Sequence, residues 1–239
     1  MKKTIYKADS RGLAEHGWLT SRHTFSFADY YDPQRIRFGL LRVLNDDIVQ
    51  PGMGFGTHPH DNMEIISIPL QGELAHKDSM GTKQVIKTGD VQIMSAGSGV
   101  THSEFNNSDS ELVNFLQIWV FPKERNITPR YDQKTLNLND RINKIQMIIS
   151  PEKDSKTLWI NQDAYFSLAK LDENKSVTYE IKNKGNGLYI FALDGDLNVA
   201  DEILSKRDAI GLEDLNNVEI KTNKPSEILL IEVPMNLKT

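Results

Sequence analysis

The stretch GMGFGTHPH, residues 52–60, carries the pattern that decides the fold. It is rich in glycine and ends in two histidines separated by one residue. In an extended strand, side chains two positions apart point to the same face of the sheet. His58 and His60 can therefore offer two imidazoles to one ion without distorting the backbone.

A second stretch, GSGVTHSEFN at residues 97–106, repeats the arrangement with a different pair of side chains. His102 and Glu104 are also two positions apart, so an imidazole and a carboxylate share one strand face. Two such strands facing each other across a barrel would supply three imidazoles and one carboxylate. The spacing therefore predicts a metal site formed by His58, His60, His102 and Glu104.

The rest of the chain reads as all-β, because short runs of β-branched and aromatic residues alternate with turn residues. Long amphipathic helical patterns are scarce, which favours a sandwich or a barrel. Asp46-Asp47, Ser79-Met80-Gly81 and Thr88-Gly89-Asp90 are predicted turns. The predicted strands are 36–44, 64–70, 83–87, 91–94, 112–120, 144–149, 158–171, 176–181, 187–193 and 228–233.

A polar, proline-punctuated stretch divides these strand signals into two groups. We predict an N-terminal metal-binding domain at 1–122, a linker at 123–143 and a C-terminal domain at 144–239. All six histidines lie at or before His102. Histidine-based chemistry is therefore expected in the first domain only, and the second domain should bind no catalytic metal.

Composition narrows the classes of function. The chain has 239 residues, no cysteine and a formal net charge of −5. Without cysteine, any metal must be bound by nitrogen and oxygen. The negative charge argues against direct binding to nucleic acid or to an anionic membrane. No apolar run follows the lysines at the start and no later run approaches membrane-span length, so we expect a cytoplasmic protein.

At this point the sequence resembles the cupin superfamily. Gly52, His58, His60, Glu64 and Gly72 resemble its first motif, which has a glycine, His-x-His, a glutamate and a closing glycine. Its second motif is matched by Gly99, His102 and Asn106, although Gly97 stands where a proline is expected. The resemblance implies a β-barrel or jelly roll.

Within the cupins, the sequence is most similar to the pirin family and its bacterial quercetin-dioxygenase-like members. The stretches that carry this resemblance are HTFSFADYYDP (from His23), FGTHPHDNMEI (from Phe55), QIMSAGSGVTHSE (from Gln92) and ITPRYDQ (from Ile127). The resemblance implies a bicupin with a degenerate second domain and one divalent transition metal. Fe(II) is the first expectation for this metal, and Zn, Mn, Ni and Cu remain open.

Glu64 departs from the usual cupin register. Cupins place the glutamate of the first motif seven positions before its closing glycine, and the residue seven before Gly72 is Ile65. A one-residue slip sends a side chain to the opposite face of a strand. We therefore predict that Glu64 points away from the ion, that Ile65 faces inward, and that Glu104 is the carboxylate ligand, as the pirin resemblance also implies.

The other histidines and an aromatic run are expected to be structural. His16, His23 and His76 are interpreted as structural, with a hydrogen bond to a metal ligand as the alternative. The aromatic run formed by Phe25, Phe27, Tyr30 and Tyr31 is expected to pack in the core.

Two functions of different classes follow from the resemblance. One is a quercetin 2,3-dioxygenase-like enzyme that opens the central ring of a flavonol with O2 and releases carbon monoxide, with Glu104 as ligand and base. The Gly52–Gly56 stretch would then leave room for a flat aromatic substrate. The other is a non-enzymatic iron-binding regulator that acts through protein partners. A cupin sugar isomerase shares the fold but gains no support from a phosphosugar motif.

Overall fold

The computed structural model describes residues 1–153 and 156–236, and the described chain is built from strands, as predicted, with two short 3₁₀ turns at Ala8–Ser10 and Leu138–Arg141. The predicted end of the second domain at 239 lies outside the described residues. The first twelve strands are β1 (Lys2–Tyr6), β2 (Gly12–Glu15), β3 (Leu19–His23), β4 (Leu41–Val49), β5 (Gly54–His60), β6 (Glu64–Gln71), β7 (Glu73–Asp78), β8 (Lys83–Lys87), β9 (Asp90–Ser95), β10 (Val100–Asn106), β11 (Val113–Val120) and β12 (Arg130–Thr135). The remaining strands are β13 (Ile145–Ser150), β14 (Leu158–Trp159), β15 (Tyr165–Leu171), β16 (Ser176–Glu180), β17 (Asn186–Asp194), β18 (Leu197–Val199), β19 (Glu202–Leu204), β20 (Ala209–Glu213), β21 (Asn217–Thr222) and β22 (Ser226–Pro234).

The N-terminal cupin domain consists of two antiparallel sheets. The larger has the strand order β12-β9-β6-β11-β4-β3-β2, and the smaller has the order β5-β10-β7-β8. Between them lie two small apolar clusters, one around Phe115 and Leu74 and the other around Ile65 and Met94. The interior of this barrel is therefore only partly apolar, which leaves space for polar side chains.

The C-terminal cupin domain repeats the architecture. Its larger sheet has the order β1-β20-β17-β22-β15-β13-β14, and its smaller sheet has the order β16-β21-β18-β19. Its interior holds a larger, continuous apolar cluster that includes Tyr179, Ile190, Ile220 and Leu230. Packed side chains fill this barrel where the first barrel carries polar groups.

The two larger sheets pack face to face through a shared core. Ile66 and Leu116 contribute from the first domain, and Phe166, Tyr189 and Leu229 contribute from the second. Because these side chains are buried only when both sheets are present, the hydrophobic effect stabilises the pair of domains together.

Strand pairing crosses the predicted domain limits in two places. β1 pairs with β20 of the second domain, although residues 2–6 were assigned to the first domain. β12 lies within the predicted linker and pairs with β9 of the first domain. Both are edge strands of their sheets. Because their side chains are mostly exposed or half-buried, they lack the apolar alternation that marks a half-buried strand.

Two further expectations need correction. Asp46 and Asp47 do not form a turn; they lie inside β4, where both carboxylates are buried with polar partners. In the aromatic run, Phe25 is buried in the shared core as predicted, but Tyr31 is 74% exposed. Within the described residues, no helix is long and apolar enough to cross a membrane.

Candidate metal centre

Strands β5 and β10 form the wall that carries the predicted ligands. They are antiparallel neighbours, and His102 lies opposite His58. A Cβ atom on Gly54 would lie only 2.3 Å from the backbone oxygen of Glu104, so glycine is needed for the close approach of the two strands. The sequence predicts that the glycines of Gly52–Gly56 leave room for a substrate. At Gly54 the close contact between the two strands is the reason for the glycine instead.

The three predicted histidines come together. The ring centroids of His58, His60 and His102 are separated by 4.5–4.9 Å, and their ligand nitrogens all lie within 4.8 Å of one another. Trp119 packs edge-on against His60 at 4.8 Å between ring centroids. The imidazoles therefore form one compact cluster with an aromatic wall behind it.

These imidazoles have the free nitrogens that metal ligands need, and two of them have a lowered pKa. Burial lowers the pKa of His60 to about 4, and burial followed by the neighbouring imidazoles lowers the pKa of His102 to about 2. The Nδ1–H of His58 donates to the carbonyl of Gly56 at 2.7 Å, which leaves Nε2 as its ligand atom. Nε2 of His60 and both ring nitrogens of His102 are buried with no hydrogen-bond partner among the described residues. Neutral imidazoles with unsatisfied buried nitrogens fit a bound divalent metal ion.

Glu104 lies beside this cluster and not within it. The register between β5 and β10 shifts between His102 and Glu104, which stands opposite Phe55. This β-bulge displaces Glu104 from His58 and His60. Its carboxylate groups instead with His102 and His76, whose ligand atoms lie within 4.8 Å of one another.

The carboxylate of Glu104 is buried and held by two side chains. The hydroxyl of Ser67 donates to Oε1 at 3.1 Å, and the amide of Gln117 donates to Oε2 at 2.7 Å. Burial raises the pKa of Glu104 to about 7, and these two hydrogen bonds only partly offset the rise. The group can therefore gain or lose a proton near neutral pH.

Glu64 points away from the histidines. Its carboxylate accepts hydrogen bonds from the Ser95 hydroxyl at 2.8 Å and from the backbone N–H of Asn161, in the second domain, at 3.1 Å. Ile65 lies on the other face of β6, in an apolar cluster with Met94 inside the first barrel. Glu64 thus forms a contact between the domains, which explains its burial without a metal.

A cavity of about 640 Å³ has a lining that includes Trp18, His23, Phe27, Tyr30, Asp47 and Phe55, and none of the three clustered histidines lines it. It is linked to the histidines by ring contacts, because Phe27 packs on Trp119 at 5.3 Å and Trp119 packs on His60. The hydroxyl of Ser21 donates to Asp47 at the bottom of this cavity, and burial raises the pKa of Asp47 to about 7. The cavity offers aromatic and polar side chains together with a buried acid.

The remaining histidines occupy three different environments. His16 is exposed, and His23 is a buried residue of the cavity wall. His76 lies inside the barrel, 5.4 Å from His102 between ring centroids, and its Nε2 is 3.0 Å from a carboxylate oxygen of Asp78. His76 is therefore close to the cluster, as the alternative of a hydrogen bond to a ligand had allowed.

Sequence reasoning missed the side chains that hold Glu104. Ser67 and Gln117 are polar residues near the middle of the mostly apolar strands EIISIPLQ and VNFLQIWV. A single polar side chain in a buried strand needs a buried partner. A polar residue in a buried strand is therefore a signal that could have indicated Ser67 and Gln117. It could not have indicated that their partner is the carboxylate of Glu104.

Two family models and several curated proteins match this chain. Residues 6–120 match the Pirin family, and residues 147–233 match the quercetinase C-terminal cupin domain. A quercetin 2,3-dioxygenase of Escherichia coli strain K12 is 41% identical over 231 residues, which span 96% of this chain and 98% of that protein. A pirin-like protein of Caulobacter vibrioides is 37% identical over 225 residues, which span 94% of this chain and 96% of that protein.

Solved structures agree at the level of the whole chain. The crystal structure of YhhW from Escherichia coli superimposes with a TM-score of 0.94 at 38% identity and covers 100% of both chains. A structure of bacterial pirin YhhW in complex with nickel(II) superimposes with a TM-score of 0.92 at 38% identity, covering 98% of this chain and 99% of that one.

Proposed function

This chain belongs to the pirin family of bicupins, and on that premise we propose that it is a metal-dependent dioxygenase of the quercetin 2,3-dioxygenase type. The reaction would open the central ring of a flavonol with O2 and release carbon monoxide. The observation that carries the proposal is the cluster of three imidazoles beside a buried carboxylate of raised pKa.

We assign His58, His60, His102 and Glu104 as the ligands of one divalent ion. Imidazole and carboxylate suit iron, manganese, nickel, copper and zinc, and Fe(II) is the ion we propose. An ion bound here would supply Lewis acidity toward a flavonol oxygen and would mediate electron transfer between the flavonol and O2. Burial lowers the pKa of His60 and His102, so these two ligands need no deprotonation at neutral pH.

Glu104 is proposed to be the base that takes the proton of the flavonol hydroxyl. Burial raises the pKa of Glu104 in the metal-free protein, so this carboxylate is a stronger base than an exposed glutamate. Ser67 and Gln117 hold the carboxylate in one orientation, which reduces the reorganisation needed for proton transfer.

The aromatic cavity is proposed to receive the flavonol. Its volume of about 640 Å³ is within the range of pockets that bury a drug-sized ligand. The rings of Phe27 and Phe55 can pack against a flat aromatic system. Asp47 supplies an acceptor for a substrate hydroxyl.

The test is carbon monoxide release. Protein freed of metal is reloaded with Fe(II) without oxygen and is then given quercetin and O2, and flavonol loss and carbon monoxide are measured together. Iron salt without protein is the necessary control, because free metal oxidises flavonols in air. We expect one carbon monoxide for each flavonol consumed. Protein with one iron per chain that releases no more carbon monoxide than the salt would contradict the proposal and favour the non-enzymatic regulator.

A further inference from the structure

His76 occupies a place in the barrel that the proposed ligand set does not use. It lies on β7 directly opposite Glu104 on β10. Its ring centroid is 5.4 Å from that of His102, and the ligand atoms of His76, His102 and Glu104 lie within 4.8 Å of one another. All three side chains are at least 98% buried.

Asp78 determines how the His76 ring is oriented. One carboxylate oxygen accepts the backbone N–H groups of Met80 and Thr82 at 2.9 and 3.0 Å, so the turn after β7 fixes the carboxylate. The other oxygen is 3.0 Å from Nε2 of His76. A carboxylate can only accept a hydrogen bond, so Nε2 carries the proton and Nδ1 is left with a lone pair. On the far side, Tyr131 packs on the His76 ring at 4.7 Å between centroids.

The lone pair on Nδ1 of His76 is buried and has no partner among the described residues. The neighbouring His102 also has two unpartnered ring nitrogens. An imidazole that binds a metal through one nitrogen donates its other N–H to an acceptor, which sets its orientation and its basicity. Nδ1 of His76 is a buried acceptor beside His102.

We propose that Asp78 and His76 form a positioning pair for the inner side of the metal centre. Asp78 holds His76 in the Nε2–H tautomer, and the Nδ1 lone pair then accepts the N–H of His102 and orients that ring. Neither residue of the pair binds the ion itself. The inference rests on the proposed metal centre but not on the identity of the reaction.

The test uses Asp78→Asn, His76→Gln and the double variant. The asparagine retains an oxygen for the backbone N–H groups of the turn, but it presents an amide N–H to His76 and so favours the opposite tautomer. An aspartate-to-asparagine change beside a functional histidine acts in this way in serine proteases. Asp208→Asn is the matched control, because Asp208 is also a buried aspartate that accepts two backbone N–H groups, from Ala8 and Ser205, in the second domain.

Three measurements distinguish positioning from a purely structural role. They are the Co(II) affinity by calorimetry, the visible absorption spectrum of the Co(II) protein, and the His76 tautomer in the metal-free protein by long-range ¹H–¹⁵N NMR. For Asp78→Asn we expect a switched tautomer, an altered spectrum, one Co(II) per chain and a Kd raised about 10–100-fold. Because Asp78 acts through His76, the double variant should bind Co(II) as weakly as His76→Gln alone.

A wild-type Kd and spectrum in Asp78→Asn would overturn the inference. It would also be overturned if the double variant weakened Co(II) binding by the product of the factors measured for the two single variants. If the asparagine disturbs the turn, His76→Gln decides, because it leaves the bonds of Asp78 to the turn in place. Failure of the wild-type protein to bind Co(II) would remove the centre and the pair together. Absence of carbon monoxide release would sink only the dioxygenase proposal and would leave these results intact.

Discussion

Replacing Glu104 by glutamine should stabilise the metal-free protein at pH 8 and weaken its binding of metal. The carboxylate is fully buried, so its charged form is disfavoured in the folded protein. A glutamine keeps the shape and can still accept the hydrogen bond from Ser67. It removes the buried negative charge of the carboxylate. That charge destabilises the fold when no ion is present, and it attracts the metal ion when one is bound.

The size of the effect follows from the pKa. The ordinary pKa of 4.5 rises to about 7 in the folded protein. At about 1.4 kcal/mol per pKa unit, ionised Glu104 destabilises the metal-free fold by about 3 kcal/mol at pH 8. The variant should recover up to that amount, less whatever is lost if the Gln117 amide must flip to face the new amide.

Glu64→Gln is the matched control. Burial also raises the pKa of Glu64 to about 7, so this variant should show a similar gain in stability. Its carboxylate faces Ser95 and Asn161, so its metal affinity should remain at the wild-type value. Urea unfolding of the metal-free proteins at pH 8 measures the stability, and calorimetric titration with Co(II) measures the affinity. Flavonol loss under air should fall for Glu104→Gln only.

Two results would refute this reasoning. If Glu104→Gln is less stable than the wild type at pH 8, its carboxylate is not the destabilised group that its burial implies. If Glu64→Gln loses the metal while Glu104→Gln keeps it, the ordinary cupin ligand set applies and the register argument fails.

Three further predictions concern the centre and its pH dependence. His60→Ala should remain folded and bind little metal. Its Tm should lie within about 4 °C of the metal-free wild type, because ~1 kcal/mol moves the Tm of a chain of this size by about 2–4 °C. Circular dichroism and metal analysis check this, and an unfolded variant would mean that the site is structural. The unfolding free energy of the metal-free wild type should fall as pH rises from about 6.5 to about 8 and then level off, because Asp47, Glu64 and Glu104 hold protons up to a pKa of about 7 in the folded state but only to about 4 in the unfolded state. Below about pH 6.5 the lowered pKa values of His60 and His102 act in the opposite direction, because these imidazoles take up protons only in the unfolded state. A series of urea titrations measures the slope, and a rise in stability between about pH 6.5 and 8 would contradict the assignments. Metal saturation should stop at one ion per chain, and an ordered transition metal bound within residues 144–236 would show that the second barrel is not degenerate.

The histidine cluster could be predicted from the sequence because it depends on local geometry. Residues two apart share a strand face, so His58 with His60, and His102 with its neighbours, needed only the strand assignment. Strand periodicity also predicts that Glu64 lies outside the cluster. Gly72 has a φ of +77° and follows the end of β6, so it fixes the register of that strand. The displacement of Glu104 from His58 and His60 could not be predicted from strand periodicity. It results from a β-bulge between two strands, and a bulge depends on which residues pair across the sheet.

The partners of Glu104 and the domain membership of β1 and β12 could not be predicted for a different reason: both depend on pairing between distant strands. Ser67, Gln117 and His76 meet inside the barrel only after three separate strands have paired, so no short window of sequence contains them. β1 and β12 are short edge strands with mostly exposed or half-buried side chains, and an apolar period of two is weak where neither face is fully buried. Their pairing is decided by the sheets that they complete.

The position of β1 has a consequence for synthesis on the ribosome. Residues 2–6 are translated before their partners at 209–213, which emerge about 200 residues later. At about 5–20 residues per second, this segment waits on the order of 10–40 s before it can pair. An unpaired strand is a site for association with other nascent chains, and charged side chains reduce that risk. Lys2 and Lys3 give the waiting segment two positive charges, and in the finished protein they pair with Glu213 and Glu202 of the late-emerging domain.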